Sequence, residues 1–139
     1  MKTPTSSDLA LLAFARDVQS HAYAPYSHFR VGAAVFAGGD VFVGVNVENS
    51  AYGSTTCAEA AAIAAAVASG TRDISAIAIA GDSEGPCVPC GNCRQILSEF
   101  NLDMRIIMGG AGDEVMVETM EDLLPDSFSA GLLDQDETP

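Results

Sequence analysis

The chain opens with a helical pattern of apolar residues that ends at a proline-containing loop. Apolar residues at positions 9, 12, 14, 15 and 18 form an approximately helical stripe after the polar pair Ser7-Asp8. This pattern predicts a helix over residues 8–20 with its N-terminal cap at that pair. Pro25 disfavours helical backbone at the residue before it, so residues 24–27 are interpreted as a loop.

Three further segments have the composition of β-strands. Residues 29–36 and 41–47 are rich in β-branched and aromatic residues and flank a Gly-Gly-Asp sequence, which predicts an antiparallel hairpin. In residues 74–80 every position except Ser75 is apolar. A short run of this kind is typical of a strand that is buried on both faces of a sheet.

Two more helices are predicted in the second half of the chain. Residues 57–69 are rich in alanine, which has the highest helix propensity, and Gly70 follows as a common stop signal. Either Thr55 or Thr56 is expected to cap the start of this helix. A second helix is predicted over residues 91–100, after a loop that contains two prolines.

The complete order of elements predicts the fold class. Residues 104–108 and 115–118 are further strand candidates, which gives the order α-β-β-α-β-α-β-β-α. A hairpin followed by βαβ-like units predicts an α/β protein whose mixed sheet of about five strands is covered by helices on both faces. We expect the scattered methionines of this region to be packing residues: Met104, Met108, Met116 and Met120.

Length and composition limit the classes of protein to which the chain can belong. Its 139 residues predict one domain over 1–139, and a hydrophobic content of 48% is enough for a packed core. The two ends, residues 1–6 and 134–139, are expected to be frayed. Six basic and nineteen acidic residues give a net charge of −13, which disfavours nucleic acid as a partner. No apolar run reaches the roughly 18 residues of a membrane helix, and no secretory signal is apparent, so we expect a cytoplasmic protein.

The cysteines indicate a metal site rather than disulfides. Cys87, Cys90 and Cys93 are clustered, and Cys57 lies alone upstream. Cytosolic thiols are mostly reduced, whereas disulfide frameworks belong mainly to small secreted domains. His21 and His28 have no partner at a ligand spacing, and we interpret them as surface or loop residues.

The cysteine positions predict a zinc site with one open coordination position. Cys57 opens one predicted helix, and Cys90 and Cys93 open another. Helix N-termini stabilise thiolates, so three sulfurs can converge on Zn²⁺ at about 2.3 Å and leave the fourth tetrahedral position open. Glu59, two residues after Cys57, is placed to act as a general acid and base without binding the metal. Zinc deaminases of nucleobases have this arrangement, with a P-C-x-x-C sequence downstream.

The spacing leaves two alternatives open at this point. The sequence 86–90 also satisfies P-C-x-x-C, so a trio that includes Cys87 instead of Cys93 is possible, although the helix that continues after Cys93 favours Cys90 and Cys93. A closed structural site with four cysteine ligands is the second alternative. Such a site has no need of Glu59 in an otherwise uncharged helix.

These residues belong to a longer series of matching motifs. In order and spacing the chain resembles the cytidine deaminase family, the small zinc-dependent enzymes that act on nucleosides, over nearly its whole length. The matching stretches are residues 25–33, 44–52, 57–59, 89–95 and 123–125. The resemblance implies a three-layer α/β/α sandwich, usually a homotetramer with shared active sites, and hydrolysis of cytidine and deoxycytidine to uridine and deoxyuridine with release of ammonia, a reaction of pyrimidine salvage.

The resemblance also implies a role for individual residues. One Zn²⁺ per subunit is expected on Cys57, Cys90 and Cys93, with Cys87 outside the coordination sphere and Glu59 as the catalytic proton carrier. The residues implied to contact the substrate are Asn46 and Glu48 at the ribose hydroxyls, Phe29 against the pyrimidine, the Ala58 N–H at the pyrimidine O2, and Tyr52 in the pocket of a neighbouring subunit.

The chain departs from the family at one position. Many members with three cysteine ligands have arginine directly after Cys-Ala-Glu, where this chain has Ala60. Three thiolates on one Zn²⁺ leave an excess of negative charge, which makes the bound water less acidic. We expect Arg94 and the two helix N-termini to compensate for this charge.

Two other functions are compatible with the same motifs. The first is deamination of a modified cytosine nucleoside such as blasticidin S, although Asn46 and Glu48 favour an ordinary nucleoside. The second is a zinc-stabilised interaction module without catalytic activity.

Overall fold

The computed structural model describes residues 2–133. Its helices and strands, in chain order, are α1 (Ser6–Gln19), β1 (Val31–Ala37), β2 (Asp40–Val45), α2 (Ala58–Ala68), β3 (Ile74–Gly81), α3 (Gly91–Ser98), β4 (Arg105–Gly109), β5 (Val115–Thr119), α4 (Met120–Leu123) and α5 (Ala130–Leu133). A single 3₁₀ turn, Tyr52–Ser54, precedes α2. None of the helices in this part of the chain has the length and apolar character needed to cross a membrane.

The strands form one mixed sheet, as the sequence predicted. Their order is β2-β1-β3-β4-β5. Strands β3 and β4 are parallel, and the other neighbouring pairs are antiparallel. The parallel pair arises because α3 carries the chain back across the sheet between β3 and β4, as in a βαβ unit.

Helices cover both faces of the sheet and complete the predicted three-layer sandwich. On one face α1 packs through Leu11, Leu12 and Ala15 against side chains of β1, β3, β4 and β5. The other face carries α2 and α3, which bury a larger cluster that includes Ile63, Leu97 and three of the four methionines predicted to be packing residues: Met104, Met108 and Met120. Met116 is partly buried against the same cluster.

Two glycines allow the helices to approach the sheet very closely. A Cβ at Gly44 in β2 would lie only 2.4 Å from the backbone nitrogen of Ala62 in α2. At Gly32 in β1 it would lie 2.1 Å from the carbonyl oxygen of Ala15 in α1. Backbone therefore meets backbone on both faces, and the position of α2, which carries the candidate site, is fixed relative to the sheet.

The starts of two helices differ from the predictions. Helix α1 is capped by Thr5, not by Ser7-Asp8, because the Thr5 side chain accepts from the Asp8 N–H while the Asp8 carboxylate accepts from the Thr5 N–H. The predicted caps of α2 were also wrong. Cys57 occupies the N-cap position, and its side chain makes no capping hydrogen bond.

Residues near the N-terminus make hydrogen bonds with the rest of the chain. The Lys2 N–H donates to the Val117 carbonyl at 3.0 Å and Thr5 caps α1; the fraying expected for residues 1–6 stays a prediction. Met1 and residues 134–139 lie outside the described residues. Strand β1 starts at Val31 rather than at Phe29, and this leaves Phe29 free to face the candidate site.

Candidate metal centre and active site

The structure brings three of the four cysteines together. The sulfur atoms of Cys57, Cys90 and Cys93 all lie within 4.8 Å of one another. Among the residues described, Cys87 is not part of this group, so the structure assembles the trio that includes Cys93 and no closed site of four thiolates. This is the trio that the continuous helix after Cys93 favours in the sequence.

Two helix starts position the sulfurs. Cys57 and Cys90 are the N-cap residues of α2 and α3, and neither side chain makes a capping hydrogen bond. The first intrahelical bonds run to their carbonyls, from the Ala61 N–H at 3.0 Å and from the Arg94 N–H at 3.0 Å. The N–H groups of both first turns are thus left at the end where the sulfurs meet, and their positive partial charge favours thiolates there.

The donor set fits Zn²⁺. Tetrahedral coordination with a Zn–S distance of about 2.3 Å places sulfurs about 3.8 Å apart, which is compatible with the spread of this group. Burial raises the pKa of the Cys57 and Cys93 thiols, and the nearby Glu59 carboxylate raises both further. A bound divalent cation would offset the charges of the three thiolates and of the Glu59 carboxylate. Its binding would release the protons of the thiols.

Glu59 is a buried carboxyl beside the sulfurs. It lies in the first turn of α2 and is only 6% exposed. Burial raises its pKa above the usual value, although hydrogen bonds from its own backbone and from Cys93 oppose the shift. A buried carboxyl with a raised pKa beside a metal site is a candidate general acid and base.

A cavity of about 220 Å³ joins the carboxyl to the sulfurs. It is lined by the three clustered cysteines and by Glu59, Ala58, Phe29, Val31, Asn46, Thr55, Cys87 and Val88. Phe29 is 37% exposed, so it is not a core residue, and it offers an aromatic surface to the cavity. The size and mixed lining suit a small heterocycle.

Asn46 is buried and holds the loop that carries Phe29. Its Oδ1 accepts from the Val31 N–H at 2.9 Å, and its Nδ2 donates to the Phe29 carbonyl at 2.9 Å. One of the two Nδ2 protons and one Oδ1 lone pair remain available to a ligand.

Glu48 lies in a neighbouring depression of about 310 Å³. Its Oε1 accepts from the Tyr26 N–H at 2.9 Å and from the Ser27 N–H at 3.1 Å, and its Oε2 accepts from the Ser27 hydroxyl. The hydrogen bonds from Ser27, with that from Tyr26, hold the pKa of Glu48 below its usual value. Thr55 lines both the depression and the cavity, so Asn46 and Glu48 border two adjoining parts of one elongated site.

Tyr52 does not line the cavity that holds the sulfurs, but it lines the neighbouring depression together with Glu48. It lies in the 3₁₀ turn before α2, is 75% exposed, and makes an edge-to-face contact with Tyr26 at a centroid distance of 5.8 Å. Its exposed ring is available to another molecule.

Arg94 donates hydrogen bonds to carbonyl groups of two other segments. Its Nε donates to the Pro89 carbonyl at 2.9 Å, and its Nη1 donates to the Leu123 carbonyl at 2.8 Å. These bonds fix the residue that precedes Cys90 and attach it to the end of α4. The compensation of thiolate charge by Arg94 stays a prediction, since Arg94 is not among the groups that shift the pKa of Cys57 or Cys93.

The sequence did not single out two residues of this region and left the role of a third open. Ser27 and Thr55 are common polar residues whose importance appears only when the loops meet in space. Cys87 lines the cavity wall, and burial, with the charges of Glu59 and Asp82, raises its pKa to about 11. It is therefore a neutral thiol near pH 7.

Comparisons with known proteins agree with this geometry. The family model described as the cytidine and deoxycytidylate deaminase zinc-binding region matches residues 5–109. The chain is 43% identical to a cytidine deaminase of Sporosarcina psychrophila over 121 residues, which cover 86% of this chain and 89% of that protein. It is 41% identical over 117 residues to a probable cytidine deaminase of Dictyostelium discoideum, with 83% of this chain and 79% of that protein covered.

Solved structures are similar over nearly the whole chain. A crystal structure of cytidine deaminase from Burkholderia pseudomallei superimposes with a TM-score of 0.84 at 42% identity, covering 90% of this chain and 100% of that one. For the enzyme from Mycobacterium tuberculosis the TM-score is 0.77 at 36% identity, with 90% and 98% covered.

Proposed function

This chain belongs to the cytidine deaminase family, and from that premise we propose that it hydrolyses cytidine and deoxycytidine to uridine and deoxyuridine with release of ammonia. The observation that carries the proposal is a buried Glu59 in one cavity with three converging sulfurs. The enzyme is a hydrolase with one Zn²⁺ per subunit, held by Cys57, Cys90 and Cys93.

Glu59 is the proposed carrier of protons. When bound, the zinc would act as a Lewis acid that lowers the pKa of the attacking water towards about 7. The Glu59 carboxylate accepts a proton from the water that attacks C4 and donates it to N3 of the pyrimidine. The same carboxylate then accepts the second proton of that water from the new C4 hydroxyl and donates it to the amino group, so that the C4–N bond breaks, C4=O forms and ammonia leaves. Burial raises the pKa of Glu59 above its usual value, which favours the protonated form that donates to the substrate.

The other proposed site residues orient the nucleoside. Phe29 packs against the pyrimidine, and the N–H of Ala58 in the first turn of α2 binds its O2. Asn46 and Glu48, which border the two adjoining depressions, bind the ribose hydroxyls. The free Nδ2 proton of Asn46 and the carboxylate of Glu48 supply the donor and the acceptor that hydroxyl groups need.

Assembly and cellular context are also part of the proposal. We propose a homotetramer in which the exposed Tyr52 of one subunit completes a neighbouring site. A place in pyrimidine salvage in the cytoplasm is consistent with a metal site built from reduced thiols. Nucleic acid is not a proposed partner, because the net charge of −13 opposes it. That residues 1–139 form a single domain stays a prediction.

The test combines metal analysis with turnover. Glu59→Gln is expected to keep about one zinc per chain, because Glu59 is not a ligand, and to lose cytidine turnover by several orders of magnitude, measured by ultraviolet absorbance. The matched control is Glu99→Gln, at an exposed position beyond α3, which is expected to behave as wild type.

Each alternative predicts a different result. An interaction module without catalysis predicts zinc in the wild-type protein but no turnover of any pyrimidine nucleoside. A deaminase of modified nucleosides predicts faster turnover of blasticidin S than of cytidine. Activity retained by Glu59→Gln would contradict the proposed mechanism.

A further inference from the structure

Ser27 links two parts of the site that the proposed function assigns to different halves of the substrate. Its hydroxyl donates to Glu48 Oε2 and accepts from the Phe29 N–H at 3.0 Å. Because the hydroxyl accepts from Phe29, its own proton is free to point at the carboxylate. The result is a chain of hydrogen bonds from the Phe29 backbone through Ser27 to Glu48, in which each bond polarises the next.

The loop leaves Glu48 with one free acceptor position. An ionised carboxylate has about four lone-pair sites, two on each oxygen. The N–H groups of Tyr26 and Ser27 occupy both sites of Oε1, and the Ser27 hydroxyl occupies one site of Oε2. The remaining site is on Oε2, and its direction is set by the Ser27 hydroxyl.

The backbone geometry of the loop supports this arrangement. His28 adopts a left-handed conformation with φ of 60°, which is uncommon for a residue other than glycine, and its N–H donates to the Ala24 carbonyl at 3.0 Å. The turn places the Ser27 N–H and hydroxyl on the same carboxylate, while Asn46 holds the Phe29 carbonyl. Several independent contacts therefore hold an unfavourable backbone conformation, as is typical of functional loops.

We propose that Ser27 is a positioning residue that aims the free acceptor site of Glu48 Oε2 at a hydroxyl of the substrate sugar. This inference rests on the proposed function, because it requires a nucleoside whose ribose lies at Glu48. It assigns to Ser27 a role in sugar recognition that does not require the serine to touch the reacting atoms.

The experiment is a cycle that combines one enzyme change with one substrate change. Ser27→Ala removes the hydroxyl, and 2′,3′-dideoxycytidine removes both hydroxyls from the sugar ring. For cytidine, Ser27→Ala is expected to raise KM about tenfold and to leave kcat within about twofold, since the lost contact serves binding equally in ground state and transition state. For dideoxycytidine, the same variant is expected to change kcat/KM by less than about twofold. If wild-type turnover of dideoxycytidine is too slow to measure, its inhibition constant against cytidine replaces kcat/KM.

Two variants control for a structural effect. Ser27→Thr keeps the hydroxyl at an exposed position and is expected to restore KM for cytidine to within about threefold of wild type. Ser98→Ala removes a serine hydroxyl that donates to the Gln95 carbonyl on the outer part of α3, and wild-type kinetics are expected. Thermal unfolding of all variants establishes that they are folded.

The outcomes separate this inference from the proposed function. An equal loss on cytidine and dideoxycytidine, or no change in KM for cytidine, overturns the role of Ser27 while the deaminase activity of the wild-type protein stands. A wild-type protein that does not turn over cytidine overturns the proposed function, and the role of Ser27 falls with it.

Discussion

Helix α1 lies on one face of the sheet, and α2 and α3 lie on the other. The two groups of helices differ in how their N-termini are capped. At the start of α1, Thr5 and Asp8 satisfy each other's backbone N–H groups in a complete capping box. At the starts of α2 and α3, Cys57 and Cys90 occupy the N-cap position with no side-chain capping bond. A Ser, Thr, Asp or Asn cap typically stabilises a helix by about 0.5–2 kcal/mol, and these two helices do without it.

The buried carboxyls of the two regions show the same contrast. At Asp8, burial alone would raise the pKa, but hydrogen bonds from Arg105 and Thr5 outweigh it and hold the pKa below its usual value. At Glu59 burial prevails and the pKa is raised. One helix start is thus built for stability, while the other two leave their polar groups available for a metal and a proton transfer.

The largest expected effect on activity comes from replacing the N-cap cysteine of α3 with a threonine, the residue that caps α1. Cys90→Thr supplies a good N-cap residue but removes a sulfur ligand. We expect zinc content to fall well below one per chain. Loss of a residue that only hydrogen-bonds to a metal ligand typically costs roughly 10–100-fold in activity, and we expect cytidine turnover to fall by more than that. Metal analysis and a steady-state assay measure both. Full zinc and full activity in this variant would show that Cys90 is not a ligand.

A smaller effect is expected from the residue that holds the start of α3. Arg94→Ala removes the bonds to the Pro89 and Leu123 carbonyls and one positive charge. We expect turnover to fall about tenfold and zinc to be lost more easily to a chelator. The control is Arg72→Ala, at an exposed position between α2 and β3.

Arg94→Lys then separates charge from position. Lysine keeps the charge but cannot reproduce the planar donor geometry of arginine. Recovery of activity with lysine indicates charge compensation, and persistence of the defect indicates that Arg94 acts by holding Pro89. If Arg94→Ala leaves zinc retention and turnover unchanged, both roles are wrong.

On the α1 side, removing the charge of Asp8 is expected to affect stability without affecting catalysis. Asp8 is buried, and it accepts from Arg105 Nε at 3.1 Å. Hydrogen bonds to charged groups contribute about 1.5–3 kcal/mol, so Asp8→Asn is expected to lower the free energy of unfolding by about 2 kcal/mol at pH 7. Denaturant unfolding measures this loss, and Asp17→Asn, exposed on the same helix, is the control.

The same variant gives a pH dependence with a defined sign. Because the pKa of Asp8 is lower in the folded state than its ordinary value of 3.8, its contribution is complete above that value and is lost as pH falls through the folded pKa. The difference in unfolding free energy between wild type and Asp8→Asn is therefore expected to shrink below about pH 4. A difference that grows on acidification would contradict the assigned pKa direction.

The smallest effect is expected at the cap itself. Thr5→Ala removes the side-chain acceptor of the Asp8 N–H and is expected to cost about 1 kcal/mol of stability. Turnover at 25 °C should remain that of the wild type, and Thr3→Ala, at an exposed position just before the helix, should change neither quantity. Loss of activity in Thr5→Ala would show that the two helix starts are not independent.

Local patterns in the sequence were sufficient for the layers of the fold and for a metal site built from cysteines, though not for the choice between the two possible trios. The hairpin of β1 and β2 follows from its strand composition and its glycine turn, β3 follows from its short apolar run, and the mixed sheet follows from the order of the elements. A cysteine metal site was predictable because few other arrangements explain clustered cysteines near a helix start.

Contacts between distant segments could not be predicted in the same way. Cap propensities indicated Thr55 or Thr56 for α2, yet the N-cap residue is Cys57, whose side chain makes no capping hydrogen bond. The contact between Ser27 and Glu48 joins loops that are 21 residues apart. The spacing of the cysteines was likewise compatible with Cys87 as a ligand. The structure places Cys87 in the lining of the cavity, outside the group of three sulfurs.

The glycine at position 44 has a consequence for engineering of this enzyme. With the backbone of α2 directly above it, any larger side chain would push away the segment that begins with Cys57 and Glu59. Saturation mutagenesis should therefore find almost no tolerated replacement at this position, although Gly44 lines neither the cavity nor the neighbouring depression. Attempts to widen substrate scope have more freedom at the opposite wall, at exposed residues such as Val88.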